Sequence, residues 1–351
     1  MPIVDISKIH RPEIRKIIDQ RKKIQDLAND AFFKETGYRL EDYQPLWKKV
    51  GELNRSWLNG KNVKDLLSRE EILLLTEHLR FYYEFSENYK QKLTPIPEDA
   101  IIEPVKANNV FAEWHAYSGQ INNQAILYIH GGGHIMGSVN THKLFTMELT
   151  KITNIRVLSI NYRLAPEEPH PAALEDCVSA YKWLLSSGIA SNNIIISGDS
   201  AGGYYTLLTL LKLRDEEINL PAGAVCLSPS TDMAQTGRSI AKNCYTDIIL
   251  GDLGYIWWIH AHLNGKDPLD PSVSPLYANL KGLPPILIQV STSEMLFDDS
   301  RRFFQRAKEA GVEIIMQTWD NTLHVFQNNP ELPESKQAKK RIKEFIQNIL
   351  E

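Results

Sequence analysis

From about residue 125 onward the chain alternates short apolar runs with helical stretches, and this alternation constrains the fold more than any other feature. The strand-like runs lie at 125–129, 155–160, 194–197, 222–227, 286–290 and 312–317. Strands that alternate with helices form a mostly parallel sheet, because each crossover helix lies back on one face of the sheet and covers it. The expected class is therefore α/β, a mostly parallel central sheet flanked by helices. With 351 residues and 43% hydrophobic composition, the chain can bury a core large enough for one such domain and an accessory layer.

Two segments depart from the alternation. Residues 1–95 carry no strand pattern: Ile14, Ile17, Ile18, Ile24 and Leu27 recur at helical spacing. Ser68-Arg69-Glu70-Glu71 is a capping box that opens a third helical stretch, and Leu93-Thr94-Pro95-Ile96-Pro97 ends it. The second departure, at 233–271, is rich in aromatics (Tyr245, Tyr255, Trp257, Trp258) and closes on Asp267-Pro268-Leu269-Asp270-Pro271. An insertion between two strands is read as helices projecting above the strand ends. The expected organisation is a helical N-terminal cap segment at 1–95 and an α/β domain at 96–351 with a cap insertion at about 233–271.

Charge and composition exclude several classes. A net charge of -4 and a pI near 6.2 provide no basic field for a phosphate backbone, so nucleic acid is not an expected partner. The basic run at 336–343 shares its segment with an apolar stripe of Ala338, Ile342, Phe345, Ile346 and Ile349, which reads as a C-terminal helix with a solvated face. Residues 1–15 lack the apolar core of a leader, and no apolar run reaches the length of a membrane span. A cytoplasmic location is expected. Cys177, Cys226 and Cys244 are odd in number, widely spaced and without a C-x-x-C pair, so they read as buried thiols.

Gly198-Asp199-Ser200-Ala201-Gly202 fits G-x-S-x-G. Roughly 0.1 such matches arise by chance in a chain of this length, so context decides its weight. A short buried strand precedes it, and a helical pattern opens at Gly203-Tyr204-Tyr205. A serine at a sharp strand-to-helix turn has its hydroxyl pushed out of the sheet, and the flanking glycines leave room for a strained backbone. His130-Gly131-Gly132-Gly133 directly follows the strand at 125–129. Alone, three glycines are an ordinary flexible turn. Ahead of Ser200 in the right strand order, they form a loop whose N–H groups can approach a developing oxyanion, with the Ala201 amide as a further donor.

A serine hydroxyl needs a base, and the base needs an acid to fix its tautomer. Only His260, His262 and His324 follow Ser200, and the first two fall inside the insertion. His324, in a loop just past the strand at 312–317, is the well-placed base. The strand at 286–290 runs out into Ser291-Thr292-Ser293-Glu294, which puts Glu294 at a strand's carboxyl end, where open α/β sheets place their sites. Asp298 and Asp299 begin the next helix, where acidic residues are favoured by the dipole. Glu294 is preferred as the acid, with Asp298 as the alternative.

Taken together, these residues resemble the hormone-sensitive-lipase family of α/β-hydrolase esterases, also called bacterial lipase family IV, over roughly residues 100–351. Besides His130 to Gly133 and Gly198 to Gly203, the resemblance rests on Tyr162-Arg163-Leu164-Ala165-Pro166-Glu167, Pro171-Ala172-Ala173, Asp176, Ser274-Pro275-Leu276, Gly282-Leu283-Pro284-Pro285, Ala310-Gly311-Val312 and His324-Val325-Phe326. It implies Ser200, Glu294 and His324 as a triad and Gly132, Gly133 and Ala201 as oxyanion donors. The implied activity is a serine carboxylesterase acting on short- to medium-chain or small alcohol esters, with no cofactor or metal. The implied partner is a small-molecule ester, and homo-oligomerisation is left open.

Members usually carry an aspartate where this chain has Glu294, although the step from Glu294 to His324 fits the family register and Asp298 does not. An aromatic commonly follows the glycines, where this chain has His134. Amidase or lactonase chemistry uses the same machinery, and a ligand-binding receptor on the hydrolase scaffold is the alternative from another class. Retention of His324 with Ser200 and an acid favours catalysis.

Other residues carry weaker signals. His134, Tyr204, Tyr205, Trp257 and Trp258 are candidates for lining a substrate pocket, although large aromatics serve plain packing as readily. His130 and His134 are four apart on a glycine loop rather than a helix, so metal ligation lacks its geometry. His260 and His262 read as a surface feature of the cap. Asp199 reads as a residue that holds neighbouring loops.

Overall fold

The computed structural model describes residues 4–58, 67–253 and 256–351, so Tyr255 lies outside the described residues. The N-terminal region is helical, with α1 (Pro12–Thr36), α2 (Leu40–Leu58) and α3 (Arg69–Leu93). Proline in the first turn opens α1, and Gly37, at φ 75°, ends it. The capping box at the start of α3 is present as read: Glu71 N–H donates to Ser68 Oγ, and Ser68 N–H donates to the Glu71 carboxylate. α1 and α3 meet through aromatic contacts, with the Phe32 ring 5.2 Å from Phe81 and 4.8 Å from His78. Arg80 of α3 fastens this layer to the rest, donating to the Ile135 and Ala165 carbonyls at 2.6 and 2.9 Å and pairing with Glu167.

The strands are β1 (Ala100–Ala107), β2 (Val110–Tyr117), β3 (Ile121–Ile129), β4 (Ile155–Asn161), β5 (Ile194–Asp199), β6 (Gly223–Leu227), β7 (Ile286–Ser291) and β8 (Ile314–Trp319). They form one eight-stranded sheet in the order β1-β2-β4-β3-β5-β6-β7-β8. β3 to β8 pair in parallel, while β1 and β2 are antiparallel additions at one edge. The sequence reading omits this hairpin. β1 is interrupted by Glu103, Pro104 and Lys106, a pattern tolerated only at a sheet edge. The available signal is Asn108-Asn109, a two-residue turn between paired Ala107 and Val110, with Asn108 at φ 55°. β8 begins two residues later than the run at 312–317, because the Val312 N–H closes the preceding helix on Ala307 and Gly311 takes φ 78°.

α4 (Lys143–Thr153), α5 (Ala172–Ser186) and α6 (Ala201–Asp215) follow β3, β4 and β5. Between β6 and β7 come α7 (Arg238–Asn243), α8 (Leu250–Leu253) and α9 (Ile256–Leu263); α10 (Phe297–Glu309) and α11 (Pro333–Leu350) complete the chain. Phe145 and Leu149 of α4 pack with Ile342, Phe345 and Ile346 of α11 on one face of the sheet, against Ile126, Val157, Ile195 and Val225. The opposite face buries Leu127, Leu158 and Ile196 beneath α5 and α6, in a core that continues into Leu75 and Leu79 of α3 and Trp257 and Trp258 of α9. A third cluster joins Ile14 and Ile17 of α1 to Ile248 of the insertion and to Leu323 and Phe326 beside His324. The N-terminal helices and the insertion thus meet the sheet around the loops that carry the candidate site.

Candidate active site

Ser200 sits between the end of β5 and the start of α6 at φ 52°, ψ -117°, a conformation rare for a residue with a side chain. The turn closes tightly enough that a β-carbon on Gly202 would collide with the Ile129 carbonyl of β3. That close approach of helix to strand requires glycine.

His324 lies in the loop after β8. Its Nε2 is 2.9 Å from Ser200 Oγ, and its Nδ1 is 2.9 Å from Glu294 Oε1. The loop takes left-handed backbone on both sides of the histidine, at Asn321 (φ 53°) and at β-branched Val325 (φ 51°). Glu294 follows β7 and is fully enclosed, with its second oxygen accepting from Ser228 Oγ at 2.7 Å and from the Ser291 N–H at 3.1 Å. Ser228 Oγ also accepts the Val325 N–H at 3.2 Å, tying acid to base loop. The sequence reading missed Ser228; its signal is its place directly after β6, at the strand's carboxyl end.

Asp298 does not reach this chain. It accepts from the Ser239 N–H at 3.0 Å and from Arg301 at 2.9 Å, while Asp299 accepts the Thr231 and Asp232 amides. Two insertion residues, also missed, brace the Glu294 loop: Asn243 donates to the Glu294 carbonyl at 2.8 Å, and Asp247 accepts the Met295 N–H at 2.9 Å.

Burial pushes the His324 imidazole down, but the Glu294 carboxylate and its hydrogen bond outweigh this, so the pKa is raised above the ordinary histidine value. Burial pushes the Glu294 carboxyl up against the opposing pull of His324. The pair is a base of strengthened basicity with its tautomer fixed by the carboxylate.

On the other side of Ser200, the glycine loop leaves β3 beside β5, since Ile129 and Gly198 are paired neighbours. Gly132 and Gly133 take φ 125° and 58°, and His134 follows at φ 70°. Asp199 holds the start of this loop, with its Oδ1 accepting the Gly131 N–H at 3.0 Å and the Tyr128 hydroxyl at 2.6 Å, and His142 lies 3.4 Å away. Burial would raise the Asp199 carboxyl, but His142 and these hydrogen bonds lower it overall.

Tyr204 and Tyr205 are enclosed in α6, and their hydroxyls lie 3.0 and 3.4 Å from the two ring nitrogens of His262. Tyr205 OH is also 3.1 Å from His134 Nδ1. Trp257 is buried, and Trp258 packs on the loop so closely that a β-carbon on Gly133 would collide with its ring. The expectation that His260 and His262 form a surface feature is corrected for His262. His260 is exposed, but the α9 turn carries His262 inward, where it stacks on His134 at 4.0 Å. Burial, then neighbouring histidines, push His134 down to about 3 and His262 well down as well.

Cys177, Cys226 and Cys244 are buried free thiols. Among the described residues, no group of three or more His, Cys, Asp or Glu side chains is placed to hold a metal ion. No described helix is long and apolar enough to cross a membrane.

A family profile described as alpha/beta hydrolase fold matches residues 126–328, from β3 to just past His324. The chain is 37% identical over 235 residues to an acetyl-hydrolase of Streptomyces hygroscopicus, covering 67% of this chain and 78% of that protein. It is 38% identical over 228 residues to an esterase of Acinetobacter venetianus, covering 64% and 75%. Among solved structures, it is similar to an esterase from the bacterial hormone-sensitive lipase family, with a TM-score of 0.75 and 38% identity over 88% of this chain and 99% of that one. It also resembles EstE5 soaked with p-nitrophenyl butyrate, with a TM-score of 0.73 and 38% identity over 86% and 98%.

Proposed function

Since the chain belongs to the hormone-sensitive-lipase branch of the α/β-hydrolases, we propose that it is a serine carboxylesterase working through an acyl-enzyme on Ser200. The observation that carries this reading is the unbroken line Glu294–His324–Ser200, two contacts of 2.9 Å across the ends of β7, β8 and β5. Ser200 Oγ attacks the ester carbonyl as its proton passes to His324 Nε2, and Glu294 stabilises the imidazolium that results. The amides of Gly132, Gly133 and Ala201 hold the oxyanion. His324 returns the proton to the departing alcohol. It then takes one from water, whose oxygen attacks the acyl carbonyl, and passes that proton to Ser200 Oγ as the bond from the acyl carbon to Oγ breaks and the acid is freed.

We assign residues 1–95 and the insertion at 233–271 to a cap above the strand ends. Trp258 lying on Gly133 supports this, since it brings an insertion residue directly against the oxyanion loop. A cap encloses the acyl chain, and each buried CH₂ contributes about 0.8 kcal/mol until the space is full. Short to medium acyl chains are the expected substrates. The p-nitrophenyl ester named for the neighbouring structure supplies the probe. Across a p-nitrophenyl series, kcat/KM should peak at about two to eight acyl carbons with no rate jump at an oil–water interface, and Ser200→Ala should lose both turnover and fluorophosphonate labelling. Long-chain preference with interfacial activation overturns the cap reading; activity retained in Ser200→Ala overturns the mechanism.

A further inference from the structure

The oxyanion loop is two glycines held between anchors at its two ends. Asp199 accepts the Gly131 N–H at one end. At the other end stands His134, at a left-handed φ of 70° that few residues with a side chain adopt. Against that end lies one face of α9, on which Trp258 and His262 are four residues apart and therefore neighbours. Trp258 covers Gly133. His262 stacks on His134 with ring centroids 4.0 Å apart and planes 14° from parallel. The His262 carbonyl in turn accepts the His170 N–H at 3.0 Å, so the end of α9 is itself fixed.

We propose that His262 is a positioning residue for the oxyanion loop: α9 clamps that loop by stacking His262 on His134 and closing a one-way hydrogen-bond chain through Tyr204 and Tyr205. The proposal rests on the assignment of Gly132 and Gly133 as oxyanion donors. The hydroxyls and ring nitrogens lie 3.0, 3.4 and 3.1 Å apart in turn, and the order that gives every tyrosine proton an acceptor has Tyr204 OH donating to His262 Nε2, His262 Nδ1–H to Tyr205 OH, and Tyr205 OH to His134 Nδ1. Each proton then has one acceptor, and each acceptor nitrogen has one proton pointing at it. This order requires both imidazoles to be neutral. A charged His262 would turn an N–H toward Tyr204 and leave that hydroxyl's proton without its acceptor. The burial that depresses both histidines keeps them in the required state. His262 touches no reacting atom on this account; it fixes where the Gly132 and Gly133 amides stand.

The test uses the full chain with p-nitrophenyl butyrate, together with a trifluoromethyl ketone whose adduct with Ser200 places an oxyanion in the same position. His262→Ala should lower kcat about 100-fold with KM within about threefold, the cost of a misplacement of about 1 Å. Ketone affinity should fall by the same factor as kcat/KM. His262→Phe keeps the stack and should recover kcat to within about tenfold of wild type, and His134→Ala combined with His262→Ala should be no worse than His262→Ala alone. A folded His262→Ala with kcat within about threefold of wild type, or with raised KM and unchanged ketone affinity, overturns the clamp. If His262→Ala does not fold, Tyr205→Phe decides: it removes two links of the chain while keeping the ring, and should cost about tenfold in kcat with a parallel loss of ketone affinity. Wild-type kcat in that variant overturns the proposal. Gly132→Pro separates the layers. A loss of about 100- to 1000-fold there beside an unaffected His262→Ala removes the clamp alone. An unaffected Gly132→Pro removes the oxyanion assignment beneath it.

Discussion

The two sides of Ser200 are built on opposite electrostatic principles. On the proton-transfer side, the Glu294 carboxylate is enclosed and kept by Ser228, the Ser291 amide and His324, with Asp247 close behind. On the side proposed to hold the oxyanion, the end of the glycine loop meets two stacked imidazoles, both pushed down by burial, and two tyrosine hydroxyls. The difference follows from what each side must do. A base that becomes a cation for an instant gains from a fixed negative charge beside it. Amides that receive a transient anion need only be immobile, and neutral rings hold them without requiring a buried charge to be compensated.

The comparison breaks most sharply at Glu294. Glu294→Gln keeps the shape and removes the charge, so kcat should fall by roughly 10⁴-fold. The pH profile sharpens the point. Neutral His324 is the active form, so kcat/KM falls as pH drops through its pKa, which Glu294 raises and which places the acid limb above the ordinary histidine value. In Glu294→Gln the chief raising charge is gone, and burial is opposed only by the weaker pulls of Asp247 and Asp199, so the limb moves to lower pH as the rate falls. Asp298→Asn should leave kcat within about threefold, since that carboxylate serves Ser239 and Arg301 instead. The reverse ranking of the two variants would transfer the acid role to Asp298.

That choice also marks where the sequence stopped being legible. The residues proposed to carry the chemistry are readable because motif and strand order restrict them, Ser200 by its turn and His324 by elimination among three histidines, and the parallel strands are readable by their apolar runs. What was not readable acts across the sheet without a local pattern. Ser228 is an ordinary serine after a strand until β6 is set beside β7 and the Val325 amide is turned toward it by a positive φ. His262 reads as a surface residue because no acidic or cysteine cluster accompanies it in the sequence, and only the α9 turn sets it inward while His260 faces out. The β1–β2 hairpin failed for a related reason, since an edge strand need not be apolar and its one signal was a pair of asparagines.

Asp199 stands between the two sides and gives the next largest effect. It is charged like the first side, yet it serves the loop of the second. Asp199→Asn keeps an oxygen for the Gly131 N–H and Tyr128 OH but removes the partner of His142, and should cost about tenfold in kcat together with a loss of stability. The stability loss has a pH signature. His142 is pulled down by burial and raised overall by Asp199, so its contribution is full below the ordinary histidine pKa and disappears as pH rises through the raised value. Asp199 is lowered, so its contribution is present above the ordinary carboxylate range and is lost as pH falls through its own pKa. The deficit in Tm should therefore be larger near pH 5 than near about pH 9. An equal deficit at both would mean that His142 is not the charged partner.

A smaller effect than that of Asp199→Asn tests whether the two sides are mechanically separate. Arg11, at the start of α1, donates to the Asn321 carbonyl at 3.1 Å and pairs with Glu334 at 2.8 Å, holding the His324 loop from outside. Its pKa is raised by the hydrogen bond to Glu334 against a smaller burial cost. The pair is partly exposed, so it is worth about 1 kcal/mol or less, and His324 keeps its bonds to Glu294 and Ser200 without it. Arg11→Ala should lower kcat only about two- to fivefold, with less effect at high salt. Because α9 acts on the opposite side of Ser200 through different partners, the losses in Arg11→Ala and His262→Ala should multiply, with a coupling below about 0.5 kcal/mol in a double-mutant cycle. A larger coupling would show that the N-terminal helix and the insertion move as one body over the site, and the division into a charged side and a neutral side would then describe two contacts of a single cap.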